Sequence, residues 1–547
     1  RALQLHPQWA RYNADGRPDQ NANSLFSSYT DSLLIPQLKE LATVYHINGV
    51  WVDGDCWVLT PDYSPEAKRQ FTMATGIKDI PVKKDDPHFF EWMEFHRKAF
   101  RDYITKYANA VHTAVPGFKV TSNWSFSSMM PEPVDVPVDY LSGDVAGTNS
   151  LYSSAFESRC LALQGKPWDL MSWSFAWKNG SKATKSVPQL EQEAAEVLAM
   201  GGGFQTYWQQ NRDGTPEPYQ FSKMEKIIRF CKERKAYTFQ SEIIPQVGLL
   251  YSTYAWKRLP ANSLYSSHGQ EKIKGILNIL LDAQLPVEIL MDHQLKERMD
   301  RYPLLIIPEW EQIDPAIRPG LIDYVQKGGN LIVIGAKATA GFAGELGITI
   351  DAKPITEESI FAGHNNRIVM MHTDFQPVHI KSGVQKTGIR LNADDWRFPT
   401  DESLASVRRL GKGKIGGIYM DMGIFYNNNK NPFSTAFLRA VVKEMAPRFI
   451  SEVECGSGNL HQIVSRKNGN MYVHLINAGG EHSNPNVLVY DDLASAENIE
   501  VKLETGKRPG SITLQPAGTA IPFTYKSGIA TVHLPSVKLY DILEIKF

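Results

Sequence analysis

Along the first 240 residues, short apolar runs alternate with amphipathic stretches of helical period. The spacing predicts a helix over 33–45 before a strand at 47–53, and a helix over 90–114 before a strand at 118–124. A strand at 140–144 follows a Pro-rich loop. A helix over 153–163 then precedes a strand at 168–175, and one over 187–200 precedes a strand at 203–209. A helix over 221–235 closes the block, and Arg1-Ala2-Leu3-Gln4-Leu5 reads as the inside of a strand. Such alternation means parallel strands joined by crossover helices, and many units in series favour a closed barrel.

The pattern changes after residue 240. Apolar strands are predicted at 246–251, 286–290, 304–308, 330–335 and 413–421, with helices over 269–283, 295–299, 317–327 and 434–445 and a less regular stretch at 346–410. This is an open α/β unit of the flavodoxin type. From 451 onward, short alternating strands separated by Gly, Pro, Asn and Asp suggest a β-sandwich. The expected fold class is therefore α/β: a (β/α)8-type barrel, complete or lacking its first strands (1–240), a flavodoxin- or amidotransferase-like domain (241–450) and a sandwich (451–547).

Composition narrows the picture. A chain of 547 residues exceeds one core and fits about three domains of roughly 150 residues. A net charge of −1 gives no basic field for nucleic acid, and no apolar run approaches the ~18 residues of a membrane span. Cys56, Cys160, Cys231 and Cys455 form neither a CxxC pair nor a zinc pattern, so no metal is expected. Gly201-Gly202-Gly203 lacks the spacing of a dinucleotide or phosphate loop, Gly411-Lys412-Gly413-Lys414 reads as a hairpin turn, and GxSxG and HExxH are absent. No cofactor is expected. The chain begins without Met, so either a leader has been removed or a larger N-terminal piece is missing, and a secreted or periplasmic location is the expectation.

The 12 Trp and 22 Tyr change the picture more, because several fall near predicted strand ends. Aromatic faces stack on the apolar faces of sugar rings while their polar edges still hydrogen-bond. Barrel active sites sit at the C-terminal ends of strands. Those ends carry Trp51, Asp53, Asp55 and Trp57; Asn123 and Trp124; Asp144; Trp173; and Tyr207 and Gln209. Asp53 follows an apolar run and precedes Gly54, so a carboxylate would stand on a rigid strand end, although Asp-Gly is also a common turn. Glycosidases pair two carboxyl groups. Asp144 is the first choice for the partner acid, with Asp55 sharing the site or facing away, and Glu157 the remaining alternative. His6 and Trp9, in His6-Pro7-Gln8-Trp9, could bind sugar hydroxyls and a ring face or form a packed loop.

His6-Pro7-Gln8-Trp9, Asn13-Ala14-Asp15-Gly16 and Gly49-Val50-Trp51-Val52-Asp53-Gly54 together resemble glycoside hydrolases related to α-L-fucosidases. The stretches 165–172 and 205–214 resemble the same group. The resemblance implies that Asp53 is the nucleophile. It also implies that the chain enters the barrel at about its third strand. Residues 302–308 and 320–335 resemble the trimerisation domain of certain β-galactosidases, an amidotransferase-like fold without amidotransferase chemistry, which implies a homo-oligomer. Ile307-Pro308-Glu309-Trp310 stands where that fold would carry a nucleophilic Cys. The expected function is a retaining exo-acting glycosidase with an oligosaccharide or glycan substrate. The alternatives are a β-galactosidase-like hydrolase and a non-catalytic carbohydrate-binding or scaffold protein on a degenerate barrel.

Overall fold

The computed structural model describes residues 2–55, 59–145, 147, 149–178, 180–259, 261, 263–446, 448–481, 484 and 486–547, apart from the side chains of Glu357 and Ser457. The chain forms two compact units. The first comprises Arg1–Gly143, Gln164–Trp168 and Arg258–His268, and the second Asp144–Leu163, Asp169–Lys257 and Gly269–Phe547.

The first unit opens with α1 (Ala2–Leu5), not with the expected strand. Ala, Leu and Gln are good helix formers, and His6 N donates to Ala2 O at 2.8 Å in helical register. An antiparallel hairpin follows, β1 (Ala10–Tyr12) and β2 (Pro18–Asn23). Helix α2 (Ile35–Thr43) leads into β3 (Gly49–Val52). Helix α3 (Pro65–Thr75), which no sequence pattern announced, starts at the Ser64 cap and stops at Gly76 with φ 78°. Helix α4 (Phe89–Ala114) buries Trp92, His96, Phe100, Ile104, Tyr107 and Val111 at helical spacing, along one face. Strand β4 (Lys119–Ser122) pairs with β3 in parallel. A Cβ on Gly49 would lie 2.5 Å from Lys119 O, so this close approach needs glycine. The segment Arg258–His268 straps the unit. Leu264 N donates to Leu59 O (2.7 Å), Arg97 Nε to Leu264 O (3.0 Å) and Ser266 N to Met129 O (3.2 Å).

The chain passes from the first unit to the second along β5 (Leu141–Val145). There follow α5 (Ser150–Ala162), β6 (Trp168–Trp173), the hairpin β7 (Phe175–Lys178) and β8 (Ser181–Thr184), α6 (Val187–Ala199), β9 (Gly203–Tyr207) and α7 (Pro218–Thr238). The sheet order is β5-β6-β9, with β6 and β9 parallel. Gly201, with φ 87°, turns the chain from α6 into β9. These are helix–strand units of the expected kind. Eight strands closed into one barrel sheet are not among the described residues, because β3–β4 and β5-β6-β9 account for the strands of this type.

Strands beyond residue 246 build an open sheet. Parallel strands Val287–Met291, Val247–Tyr251, Leu304–Pro308, Asn330–Ile334 and Gly413–Ile418 lie side by side in that order, continued by antiparallel Ala405–Leu410 and Gln385–Thr387. In chain order the parallel strands run 2-1-3-4-5, the doubly wound arrangement. The stretch called irregular holds a long hairpin, Ile355–His364 with Arg367–Phe375, turned by Asn365 and Asn366 at φ 46° and 60°. The C-terminal strands form a four-stranded sheet and, joined at one edge by Glu242–Ile243, a six-stranded sheet around a core that includes Val464, Val473, Val501 and Leu543.

A polar centre ties these parts of the second unit together. The carboxylate of Asp282 accepts from Tyr152 Oη (2.6 Å), Asn459 Nδ2 (2.7 Å), Tyr426 Oη (2.6 Å) and Lys430 Nζ (3.0 Å), with His461 Nε2 at 3.4 Å. His461 Nδ1 is 2.5 Å from Glu196, whose other oxygen meets Arg159 Nη1 at 3.0 Å. Burial alone would favour the neutral acid at Asp282, but the His461 hydrogen bond and the Lys430 charge hold it far below its ordinary value. At His461 burial disfavours the cation, yet Glu196 and Asp282 raise it above 6.5.

Stability should therefore follow two opposite limbs. The Asp282 contribution is present above about 3.9, the value of an unfolded Asp, and is lost as pH falls toward the depressed folded value. The His461 contribution is complete below about 6.5 and is lost as pH rises through its raised folded value. The thermal midpoint should peak between these limits. Asp282→Ala should cost about 3–5 kcal/mol in denaturant unfolding, because the buried Lys430 loses its counter-charge and His461 one of its two. A loss below about 1 kcal/mol would contradict this account.

Candidate active site

Asp53 is the first residue beyond β3 and is exposed. Gly54 has φ 77°, a conformation a side chain would strain, and it turns the chain so that Asp55 points back toward the core. Asn123, fully buried just after β4, donates from Nδ2 to Asp53 Oδ1 at 2.9 Å, leaving Oδ2 for other partners. The parallel pairing of β3 and β4 is what puts the two residues side by side.

Asp55 is anchored on three sides. Tyr103 Oη (3.1 Å) donates to Oδ1, while Tyr107 Oη (2.8 Å) and Ser122 Oγ (2.8 Å) donate to Oδ2. Burial raises this carboxyl to about 6, with help from the Asp53 charge, against the lowering effect of its three donors. Tyr103 and Tyr107 stand one turn apart on α4 and so share a face. That i, i+4 pair was legible in the sequence, but nothing local connected it to Asp55.

Asp53 and Asp55 open into a cavity of about 620 Å³ whose other walls include Arg11, Asp19, Asn23, Tyr29 and Tyr103. The hairpin β1–β2 supplies Arg11, Asp19 and Asn23, with Arg11 Nη2 2.5 Å from Asp19 Oδ2. A second carboxylate fixes this wall. Asp62 Oδ1 accepts from Tyr12 N (3.0 Å) and Ser64 N (2.8 Å), and its Oδ2 from Ser24 Oγ (2.5 Å). These wall residues lack any motif and went unread in the sequence.

The other candidates divide by location. His6 stacks on Trp9 with ring centroids 4.0 Å apart. Trp9 is 5% exposed, its Nε1 donates to Ser28 Oγ at 2.9 Å, and it meets Tyr29 edge-on, so it supports a pocket wall from behind. Trp51 is half-buried on β3 and Trp124 is buried with φ 61°, and neither lines the cavity. Trp57 lies outside the described residues. In the second unit, Asp144 is buried on β5, as is Glu157 on α5. Trp173 stacks on Trp177 at 4.5 Å and meets Tyr207 edge-on at 6.4 Å. Gln209 Oε1 accepts from Lys182, whose ammonium lies 3.9 Å from the Phe175 ring centre. Trp173, Tyr207 and Gln209 thus belong to one aromatic wall with the β7–β8 hairpin.

No family model matches the sequence, and no curated protein is similar to it at a significant level. Solved structures are similar. One is α-L-fucosidase isoenzyme 2 from Paenibacillus thiaminolyticus, at TM-score 0.79 and 16% identity over 100% of this chain and 85% of that one. Others are a GH42 β-galactosidase from G. stearothermophilus (TM-score 0.70, 13% identity, 100% and 86% covered) and a β-galactosidase from Bacillus circulans sp. alkalophilus (0.69, 12%, 100% and 87%). The chain shares its fold with glycoside hydrolases of these two kinds.

Proposed function

We propose that this protein is a glycoside hydrolase, a retaining exo-acting enzyme of α-L-fucosidase type, with Asp53 as nucleophile. The observation that carries the reading is Asp53 itself, a carboxylate on a strand end, oriented by a buried Asn123 amide, at the mouth of a 620 Å³ polar cavity. The shared fold supports it. In the proposed reaction Asp53 Oδ2 attacks the anomeric carbon as the bond to the leaving oxygen breaks. A second carboxylic acid gives that oxygen its proton. Water, deprotonated by the same group, then releases the sugar and frees Asp53. Asp55 is a positioning residue in this scheme, because its oxygens are already engaged by Tyr103, Tyr107 and Ser122. A homo-oligomer and a location outside the cytoplasm are part of the same proposal.

An aryl-glycoside panel of α-L-fucoside, β-D-galactoside, α-D-galactoside and α-L-arabinoside tests the reading. The α-L-fucoside should turn over and Asp53→Asn should abolish it with the fold intact. Turnover of the β-D-galactoside alone would replace the sugar assignment, and turnover that survives Asp53→Asn would remove the nucleophile.

Two further outcomes follow. Asn123→Ala should lower kcat roughly ten- to a hundredfold, as expected for a lost hydrogen bond to a charged group of about 1.5–3 kcal/mol. A carboxyl titrating near 6 should be visible by NMR, vanish in Asp55→Asn and move upward in Tyr107→Phe, which removes one of the donors that lower it. Its folded value exceeds the unfolded value of about 3.9, so ionisation of Asp55 weakens the fold as pH climbs through about 6. Asp55→Asn should flatten that loss in a thermal-midpoint series.

A further inference from the structure

The reaction at Asp53 leaves the hairpin β7–β8 of the second unit without a part to play. Trp177 stands directly across from Lys182 in this hairpin, and Phe175 two residues earlier shares their face. Trp177 is 44% exposed although its ring stacks on Trp173, with centroids 4.5 Å apart and planes 23° apart. Phe175 lies 5.8 Å from Trp177 and meets Tyr207 edge-on at 6.0 Å. Rings from β6, β7 and β9 thus form one group that opens to solvent at Trp177. Lys182 is exposed as well, yet it is held in place. Its ammonium sits 3.9 Å from the Phe175 ring centre and donates to Gln209 Oε1. Cation–π attraction and this hydrogen bond together restrain a side chain that would otherwise sweep through solvent. Among the described residues no carboxylate pairs with Lys182. Gln209 takes one of its N–H donors and leaves the others to an outside partner.

Two features therefore meet on one hairpin face, an open aromatic ring and a restrained cation without a counter-charge. A pyranose lays its apolar face on such a ring. An anionic substituent on the same pyranose takes charge-assisted hydrogen bonds from the ammonium. A neutral sugar would leave the Lys182 charge unanswered, and an inorganic anion would leave the Trp177 ring uncovered. We infer that the β7–β8 hairpin is a binding platform for an acidic sugar residue, one that bears a carboxylate or a sulfate ester. Its ring rests on Trp177 and its anionic group meets Lys182. The choice of a sugar rests on the glycosidase reading, whereas the choice of an anion rests on Lys182.

The test is saturation-transfer NMR and calorimetric titration of the full chain. The probes are methyl β-D-glucuronide, methyl β-D-glucoside 6-sulfate, neutral methyl β-D-glucoside and inorganic sulfate. At least one acidic glycoside should bind more tightly than the neutral one, and added salt should narrow the gap. The tighter of the two acidic probes names the anionic group. Lys182→Met keeps the stem over Phe175 and should weaken acidic binding about tenfold, as for a lost hydrogen bond between charged groups. Lys182→Arg should retain that binding, and Trp177→Ala should weaken it. Asp53→Asn should leave it in place, so a failed glycosidase assay with this binding intact would remove the first reading and keep the second. Hydrolysis that depends on Asp53, beside equal binding of acidic and neutral glycosides, would overturn the inference alone. An acidic preference that survives Lys182→Met would overturn it too, as would inorganic sulfate binding as tightly as the acidic glycosides.

Discussion

A single buried carboxylate organises the larger unit. Asp282 ends its helix inside a cage of donors from α5, the segment 426–430 and the sandwich strand that carries His461. A buried charge is tolerable only when paired and fully hydrogen-bonded. Each of those elements must therefore reach its place before the centre is satisfied. Hydrophobic packing within the open sheet or within the sandwich makes each stable, but it leaves their mutual register open. The chain Arg159–Glu196–His461–Asp282 sets it, because a shifted element would strand an ion in the interior.

The smaller unit uses the same device at its cavity. Asp62 gathers hydroxyl and backbone donors and Asp55 three hydroxyls, from segments far apart in sequence, and between them they hold the hairpin and the strand-end loop. Asp53 is spared this service, and among the described residues only its Oδ1 is engaged. The contrast between two engaged carboxylates and one available carboxylate gives the site its chemical polarity.

Sequence reading found what repeats. The parallel strands at 247–251, 304–308 and 330–334 are continuous apolar runs, and their helices carry one apolar stripe, so both were visible. The Asp53–Gly54 strand end was visible for the same reason. Helix α3 was missed because its buried face is only Ala67 and Phe71 within a polar run, and α1 because four residues cannot display a period. The cavity wall could not be read at all. Arg11 and Asp62 acquire meaning from tertiary pairings across up to about fifty residues, and no local spacing encodes these. The Asp282 cage is the extreme case, since its members are ordinary polar residues until the fold assembles them.

The smaller unit is discontinuous, and that has a consequence for how the protein is made. Tyr265 packs on Phe100 at 5.3 Å and donates to Glu132, and Leu264 closes against Leu59 and Arg97. During synthesis from the N-terminus, residues 1–143 wait for a strap that emerges more than a hundred residues later. Much of the larger unit's α5–α7 region leaves the ribosome first. The cavity beside Asp53 is thus made well before the strap that locks its unit. A nascent chain carries an unfinished cavity through most of that interval, and its completion is tied to the arrival of Arg258–His268, a strap whose described residues are not among those lining it.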